Sequence, residues 1–450
     1  MTAHKNVARL PDVRLRQEFR GIRAWAACVV IAAFGPYIFP TLGIRTEQLV
    51  IYGSALVLAP VLMLSRRVSR EVLHTLAAWT ALCLVAMLAT VAAAPLQSGR
   101  SVLAGLDSFL MPIAALTVAH GWSCSVRPRT GTVLESVALW IVLCVSANTC
   151  VSLYGTFGDI TPVAQLFWST TDPMDAVAAR AAEMGRQTGL FNQPFEAGLA
   201  YSLGLFSLSY LRASCRLSGW SGSIMLGLIL VGGLLTVSKV FLLVGLPIAI
   251  FSHFMGEASG RTSFKTRLVT ALCLLVALVS LAAAVPPEAS DRLRQLVSFQ
   301  TSEDPVALYS AGRFGEGGSM KLVYSLVIEN SPALGFGLRG IDGVAYDNAW
   351  IEMLVMAGLI GAALYSLVLV IMVLGVVRRR TIMSASARML SGSLLGLLVF
   401  AGLGGPALTA NRAAVLIWLL FGTVISLGAT TTRPALHDNA EALGAIEARD

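Results

Sequence analysis

Between Arg216 and Glu257 lie forty residues whose only lysine, arginine, aspartate or glutamate is Lys239. At about 1.5 Å per residue a helix of that length reaches roughly 60 Å, twice the ~30 Å hydrocarbon core of a bilayer. A lysine at mid-membrane costs roughly 2.5–3.5 kcal/mol on insertion scales. The stretch is therefore expected to fold as two crossings, with Lys239 at a tight turn between them. This interval constrains the chain to a membrane-spanning fold.

The rest of the chain follows the same pattern. Hydrophobic residues make up 56% of the 450 positions and charged residues 13%, about half the charged fraction of a soluble domain, and mean hydropathy is +0.74. The expected fold is all-α and polytopic, with about twelve transmembrane helices and one large loop before the tenth. The expected spans are residues 24–43, 47–64, 73–94, 101–120, 132–155, 189–211, 218–237, 240–257, 267–286, 349–377, 386–406 and 411–429. They divide the chain into a basic tail (1–23), five helices (24–156), a loop (157–188), four helices (189–286), the large loop (287–348), three helices (349–429) and a second tail (430–450). The basic tail runs into a long apolar stretch without a small-residue cleavage site, so no cleavable signal peptide is expected.

Orientation follows from the cations. Alternate short connections hold Arg66, Arg67, Arg70, Arg127, Arg129, Arg212, Arg216, Arg261, Lys265, Arg267, Arg378, Arg379, Arg380 and Arg388, fourteen in all. The other short connections hold one each, Arg45, Arg100, Lys239 and Arg412. Cytoplasmic loops carry the excess of Lys and Arg, so both termini are expected inside. The same bias accounts for the net charge of +8 without a nucleic-acid partner.

Both long loops, 157–188 and 287–348, then face outward. They contain the amphipathic runs "PMDAVAARAAEMGRQ", "EASDRLRQLVSF" and "SMKLVYSLVIE", suited to lying along the membrane surface. None of the seven cysteines falls in them, and no Cys/His spacing points to a metal site.

Polar residues gather on this outer side. Arg186, Lys239, Arg313 and Arg339 lie near helix ends, and Tyr346-Asp347-Asn348 opens the tenth span. Cations at a membrane surface stabilise negative charge developing on a leaving phosphate, and an acid among them accepts the proton of an attacking hydroxyl. Structural readings stand beside these. Asp347 fits as the N-cap of the tenth span, and Lys239 fits as a snorkelling anchor. Arg412 is expected to be peripheral and tolerant of substitution. Asp107, an acid inside the fourth span, is either a site residue or the partner of Arg100, Lys239 or Arg412.

The motifs carry a resemblance. "GLFNQPFEAGLAYSLG" is followed by a Ser-Lys turn, a Gly-Arg pair in the large loop, "SPALGFG", and an Asn-ending dipeptide that opens a span containing "AGLIG". Over roughly residues 185–375 this resembles the O-antigen polymerase/ligase superfamily of bacterial envelope glycosyltransferases. The resemblance implies transfer at the periplasmic face of the inner membrane. A glycan on undecaprenyl pyrophosphate is the donor and a hydroxyl of another glycan the acceptor, with no nucleotide, metal or other cofactor. It also implies a flippase and a chain-length regulator as partners.

Position by position, Arg186 matches the arginine before the Gly-Leu-Phe-Asn segment, Ser238-Lys239 a Ser-Arg turn, and Arg313 the arginine of the long loop. Asp347-Asn348 matches a His-Asn pair of the ligase branch. The outer-face position and the resemblance together give Asp347 and Arg313 as catalytic, with Arg186, Lys239, Arg339, Tyr346 and Asn348 binding substrate. Lysine at 239 keeps charge without bidentate geometry, and aspartate at 347 replaces the ligases' histidine. The expected activity is therefore repeat-unit polymerisation for O-antigen, capsule or exopolysaccharide, with a ligase as alternative and a twelve-helix secondary transporter as the reading from another class.

Overall fold

A computed structural model describes residues 10–40, 43–64, 68–92, 102–125, 130–168, 176–217, 219–255, 318–341 and 348–427. Helix α1 (Leu10–Ala32) leads into a two-stranded hairpin, β1 (Tyr37–Phe39) and β2 (Ile44–Arg45). Residues 33–43 were expected to continue the first span. Pro36 and Pro40 prevent this, because each lacks an N–H and disfavours helical geometry in the residue before it.

Four long helices follow: α2 (Thr46–Leu64), α3 (Arg70–Ala92), α4 (Val102–Ser125) and α5 (Thr130–Phe157). Two short ones come next, α6 (Thr161–Phe167) and α7 (Ala176–Glu183), and then α8 (Pro194–Ala213) and α9 (Gly219–Leu235). A π-helical turn (Val240–Gly245) continues into α10 (Leu246–Met255). The remainder comprises α11 (Ser319–Asn330), α12 (Ala349–Arg379), α13 (Ala385–Ala401) and α14 (Asn411–Ser426).

The fold is an all-α membrane bundle with one small hairpin. Five helices, α2 to α5 and α12, are long and apolar enough to cross a membrane, and shorter apolar helices accompany them. The expected ninth span, 267–286, and the "EASDRLRQLVSF" run lie outside the described residues. The other two amphipathic runs form α7 and α11.

Burial sorts the helices. Leu56, Val57, Met63 and Leu64 of α2 are exposed, as a lipid-facing surface requires. By contrast α8 is buried on all sides, from Pro194 to Leu211 with few interruptions. A helix apolar all round and enclosed by neighbours is the bundle's centre. The turn near Lys239 forms as expected: α9 ends at Leu235, Thr236 and Val237 turn, and Lys239 starts the return. Gly198 of α8 lets this hairpin approach, since a Cβ there would stand 2.2 Å from Ser238 Oγ.

The tenth expected span departs from a single straight helix. α12 covers 31 residues, about 46 Å, but it breaks at Gly358, where φ is 62°. The "SPALGFG" backbone fills the break. Leu359 N–H donates to the Pro332 carbonyl at 2.8 Å, and Phe336 N–H donates to the Val355 carbonyl at 2.6 Å. Both chains come so close that a Cβ on Gly358 would lie 2.2 Å from the Ala333 carbonyl oxygen. Only glycine suits this φ and this approach. The segment then runs to Leu338, whose N–H donates to Thr90 Oγ1 at 2.7 Å. The stretch from Leu359 to Arg379, about 31 Å, is long enough to cross alone.

A polar cluster ties together the opposite end of the bundle. Arg379 donates to the Leu427 carbonyl at 2.7 Å, Ser69 Oγ at 2.8 Å and Glu71 Oε2 at 2.9 Å. Arg379 thus serves as an internal tie between α12, α3 and the end of α14, besides adding a cation to its connection.

Candidate functional site

Two groups of polar residues share the end of the bundle where α8, α12 and α14 begin. The first surrounds Arg186. This half-buried residue follows α7, and its Nε donates to the Thr236 carbonyl at 3.3 Å, while Gln187 N–H donates to the Leu235 carbonyl at 2.8 Å. The segment carrying Arg186 is thereby stitched to the turn that carries Lys239.

That turn is an unusual piece of backbone. Val237 is left-handed, with φ 44°, which a β-branched residue seldom adopts. Strained backbone of this kind concentrates at functional sites. Lys239 occupies the N-cap of the π-helical turn and makes no capping hydrogen bond. A cation is poorly placed there, because a helix N-terminus already carries positive partial charge. Lys239 follows directly on the turn to which the Arg186 segment is bonded.

The segment beyond Arg186 is held from inside the bundle. Asn148 of α5, fully buried, accepts Leu190 N–H on Oδ1 at 2.8 Å and donates from Nδ2 to the Tyr201 hydroxyl at 2.9 Å. Trp168 Nε1 donates to the Gly189 carbonyl at 3.0 Å. These contacts and the Gln187 N–H bond hold the backbone of residues 187–190 in place.

The second group is a buried ionic cluster. Arg45 Nη2 donates to Asp107 Oδ2 at 2.9 Å, and its Nε lies 3.0 Å from Glu47 Oε1. Asp107 also accepts from Gln48 Nε2 at 2.8 Å and from the Tyr52 hydroxyl at 2.7 Å. Arg412 has no exposed surface. Its guanidinium donates to the carbonyls of Leu190, Gly35 and Phe167, stacks over the Tyr37 ring, and stands 3.9 Å from Glu47 Oε1. Its backbone N–H donates to Glu196 Oε1 at 2.8 Å.

Two sequence expectations change here. Asp107 pairs with Arg45, and neither Lys239 nor Arg412 is its partner. Arg412 is no peripheral cation: it holds three connecting segments at once. Arg45 and Arg412 therefore sit in the bundle interior, paired with acids that offset the cost of burying them.

The start of α12 brings another correction. Its N-cap is Asn348, whose Oδ1 accepts from Trp350 N–H at 2.8 Å and Ile351 N–H at 3.3 Å, while Nδ2 donates to the Leu403 carbonyl at 3.2 Å. Asn348 is buried with both polar atoms engaged, and it caps the helix. The cap expected of Asp347 belongs to its neighbour. Glu352, one turn on, is buried and accepts from Thr409 Oγ1.

Arg339 is exposed on the segment docked against α3, α4 and α12. Asp347, Tyr346 and Arg313 lie outside the described residues. Glu47 and Glu196 were not singled out from the sequence, although an acid in the first turn of an apolar helix is a signal for both. No protein-family model matches the chain, and no curated protein matches it.

Proposed function

We propose that the chain is a membrane glycosyltransferase that polymerises undecaprenyl-pyrophosphate-linked oligosaccharide repeat units at the periplasmic face of the bacterial inner membrane. In this reading it has twelve spans, both termini are cytoplasmic, and the product is O-antigen, capsule or exopolysaccharide. The observation that carries the reading is the corner in which Arg186 binds the turn ahead of Lys239. Two cations beside a helix N-terminus suit a pyrophosphate.

The acceptor hydroxyl oxygen attacks the anomeric carbon of the donor glycan. The bond from that carbon to the pyrophosphate breaks, and the electron pair leaves with the lipid pyrophosphate. Arg186, Lys239 and Arg313 stabilise this leaving group, while Asp347 takes the hydroxyl's proton. Tyr346 and Arg339 contribute to binding the glycan. A flippase delivers the lipid-linked units, and a chain-length regulator acts alongside.

In an assay with purified protein and lipid-linked repeat units, Arg186→Ala and Lys239→Ala are each expected to slow elongation by about 10²–10³-fold, the loss of one preorganised donor to developing charge. Near-normal elongation by both variants would remove the assignment. The orientation has its own check. In a cysteine-free background, a cysteine at 239 should react with an impermeant reagent added outside, and one at 378 should not. Labelling of 378 alone would invert the topology.

A secondary transporter is the second reading, favoured by the break in α12, since transporters build substrate sites from discontinuous helices. Here the N–H groups of Leu359 and Phe336 at the break are already bonded to protein carbonyls. That arrangement fits a structural break better than a substrate site. Accumulation of a solute by proteoliposomes, with no elongation in the glycan assay, would favour the transporter. A ligase of the same type is separated by offering a non-repeat acceptor glycan.

A further inference from the structure

At the end of the bundle opposite Arg186, one arginine is turned inward and its neighbours are turned out. Arg378 and Arg379 close α12, Arg380 follows them, and Arg70 opens α3. Arg379 is buried and donates to Ser69 and Glu71. Arg70, Arg378 and Arg380 are exposed. Among the described residues none of these three has a carboxylate partner: Glu71 is held by Arg379, and Glu135, at the same end, by Arg216.

The Arg379–Glu71 bond gathers the exposed arginines. Glu71 directly follows Arg70, and Arg379 stands between Arg378 and Arg380. Around this bond α3 and α12 lie so close that a Cβ on Gly375 would be 3.5 Å from the Glu71 Cβ. Three unneutralised cations thus share one small area, although about three hundred residues separate Arg70 from the other two.

Beside each cation the helix presents apolar surface. On α3 Leu73 is exposed, three residues after Arg70. On α12 Val373, Leu374 and Val377 are exposed, with Leu374 four residues before Arg378 and Val377 three before Arg380. Residues three and four apart share a helix face. The arginines therefore stand at the ends of apolar strips that run into the membrane. The rule that sets loop orientation accounts for how many cations lie at this end. It gives no reason for their gathering about one buried tie.

We infer that Arg70, Arg378 and Arg380 bind the headgroup phosphate of an anionic phospholipid in the leaflet at this end of the bundle, its acyl chains lying along Leu73, Leu374 and Val377. A guanidinium meets phosphate oxygens in pairs through its planar fork, and the apolar strips suit a ligand that carries acyl chains below its charge. Across the turn Arg388, whose Nη1 donates to the Arg380 carbonyl at 3.5 Å, adds to the positive field. The lipid offsets the repulsion among cations that the Arg379 tie draws together, and so it stabilises the contact between α3 and α12. This does not depend on the glycosyltransferase reading.

The melting temperature of the full-length protein, purified in a neutral detergent, measures the effect. Dioleoylphosphatidylglycerol is expected to raise it, and the rise should shrink as salt screens the charges. Dioleoylphosphatidylcholine and inorganic phosphate should do neither. Equal stabilisation by the two lipids would overturn the inference, and so would a rise with inorganic phosphate equal to that with phosphatidylglycerol, which would point to a free anion.

Arg70→Gln, Arg378→Gln and Arg380→Gln should each weaken phosphatidylglycerol binding by about fivefold, the usual effect of one cation near an anionic lipid surface. The triple variant should lose the preference over phosphatidylcholine, and a preference kept intact by it would overturn the site. Should the variants fail to insert, the wild-type protein still decides. A phosphatidylglycerol analogue with a photoreactive headgroup should crosslink to peptides around residues 70–73 and 374–382, and crosslinks confined to other segments would remove the assignment.

Discussion

Asp347→Asn is expected to lower the rate of glycan elongation by about 10²–10⁴-fold, the usual contribution of a general base, while leaving the protein's melting temperature unchanged. The contrast is clean because the capping role at the start of α12 belongs to Asn348, which accepts from Trp350 and Ile351. Asn also serves as well as Asp at a cap, so the substitution has no capping cost in any case. The matching control is Asn348→Ala. It removes the acceptor for two helix N–H groups and is expected to cost about 0.5–2 kcal/mol of stability. Elongation by Asp347→Asn at the wild-type rate would eliminate Asp347 as the base.

Arg412→Ala should have the largest effect on stability of any single change at this end of the bundle. The substitution removes donors from the carbonyls of Leu190, Gly35 and Phe167 and takes one cation from Glu47. Breaking a buried ion pair from one side costs about 3–5 kcal/mol, because the surviving charge is left buried. Total stabilities are typically only about 5–15 kcal/mol, so poor yield and a much lower melting temperature are expected. Lysine should not rescue the variant, since an ammonium lacks the planar fork that reaches several carbonyls together. Arg180→Ala, on the exposed side of α7, is the control and should be silent. Equal melting temperatures for Arg412→Ala and Arg180→Ala would show that the network contributes little.

These two residues illustrate what a linear reading can and cannot reach. Asp347 attracts notice because it precedes a long apolar run, a property of neighbours in the chain. Arg412 looks peripheral for the same reason: it stands alone in a short connection between two apolar stretches. Its partners Glu47, Leu190 and Glu196 come from parts of the chain more than two hundred residues away, and no local pattern announces them. Counting cations by connection consequently places Arg45 and Arg412 among surface charges, although both are buried.

By itself the sequence determined the class of fold, because transfer of apolar surface and exclusion of charge act residue by residue along the chain. It also determined the hairpin around Lys239, since forty residues whose only Lys, Arg, Asp or Glu is one lysine are too long for one crossing. Only the tertiary structure decided that α12 breaks at Gly358, because "AGLIG" is ordinary within an apolar helix until the 332–336 backbone competes for its hydrogen bonds. Likewise it alone decided which charges are paired, and brought Arg186 to the Lys239 turn. Electrostatic and hydrogen-bond energies depend on distance in space, which separation along the chain does not specify.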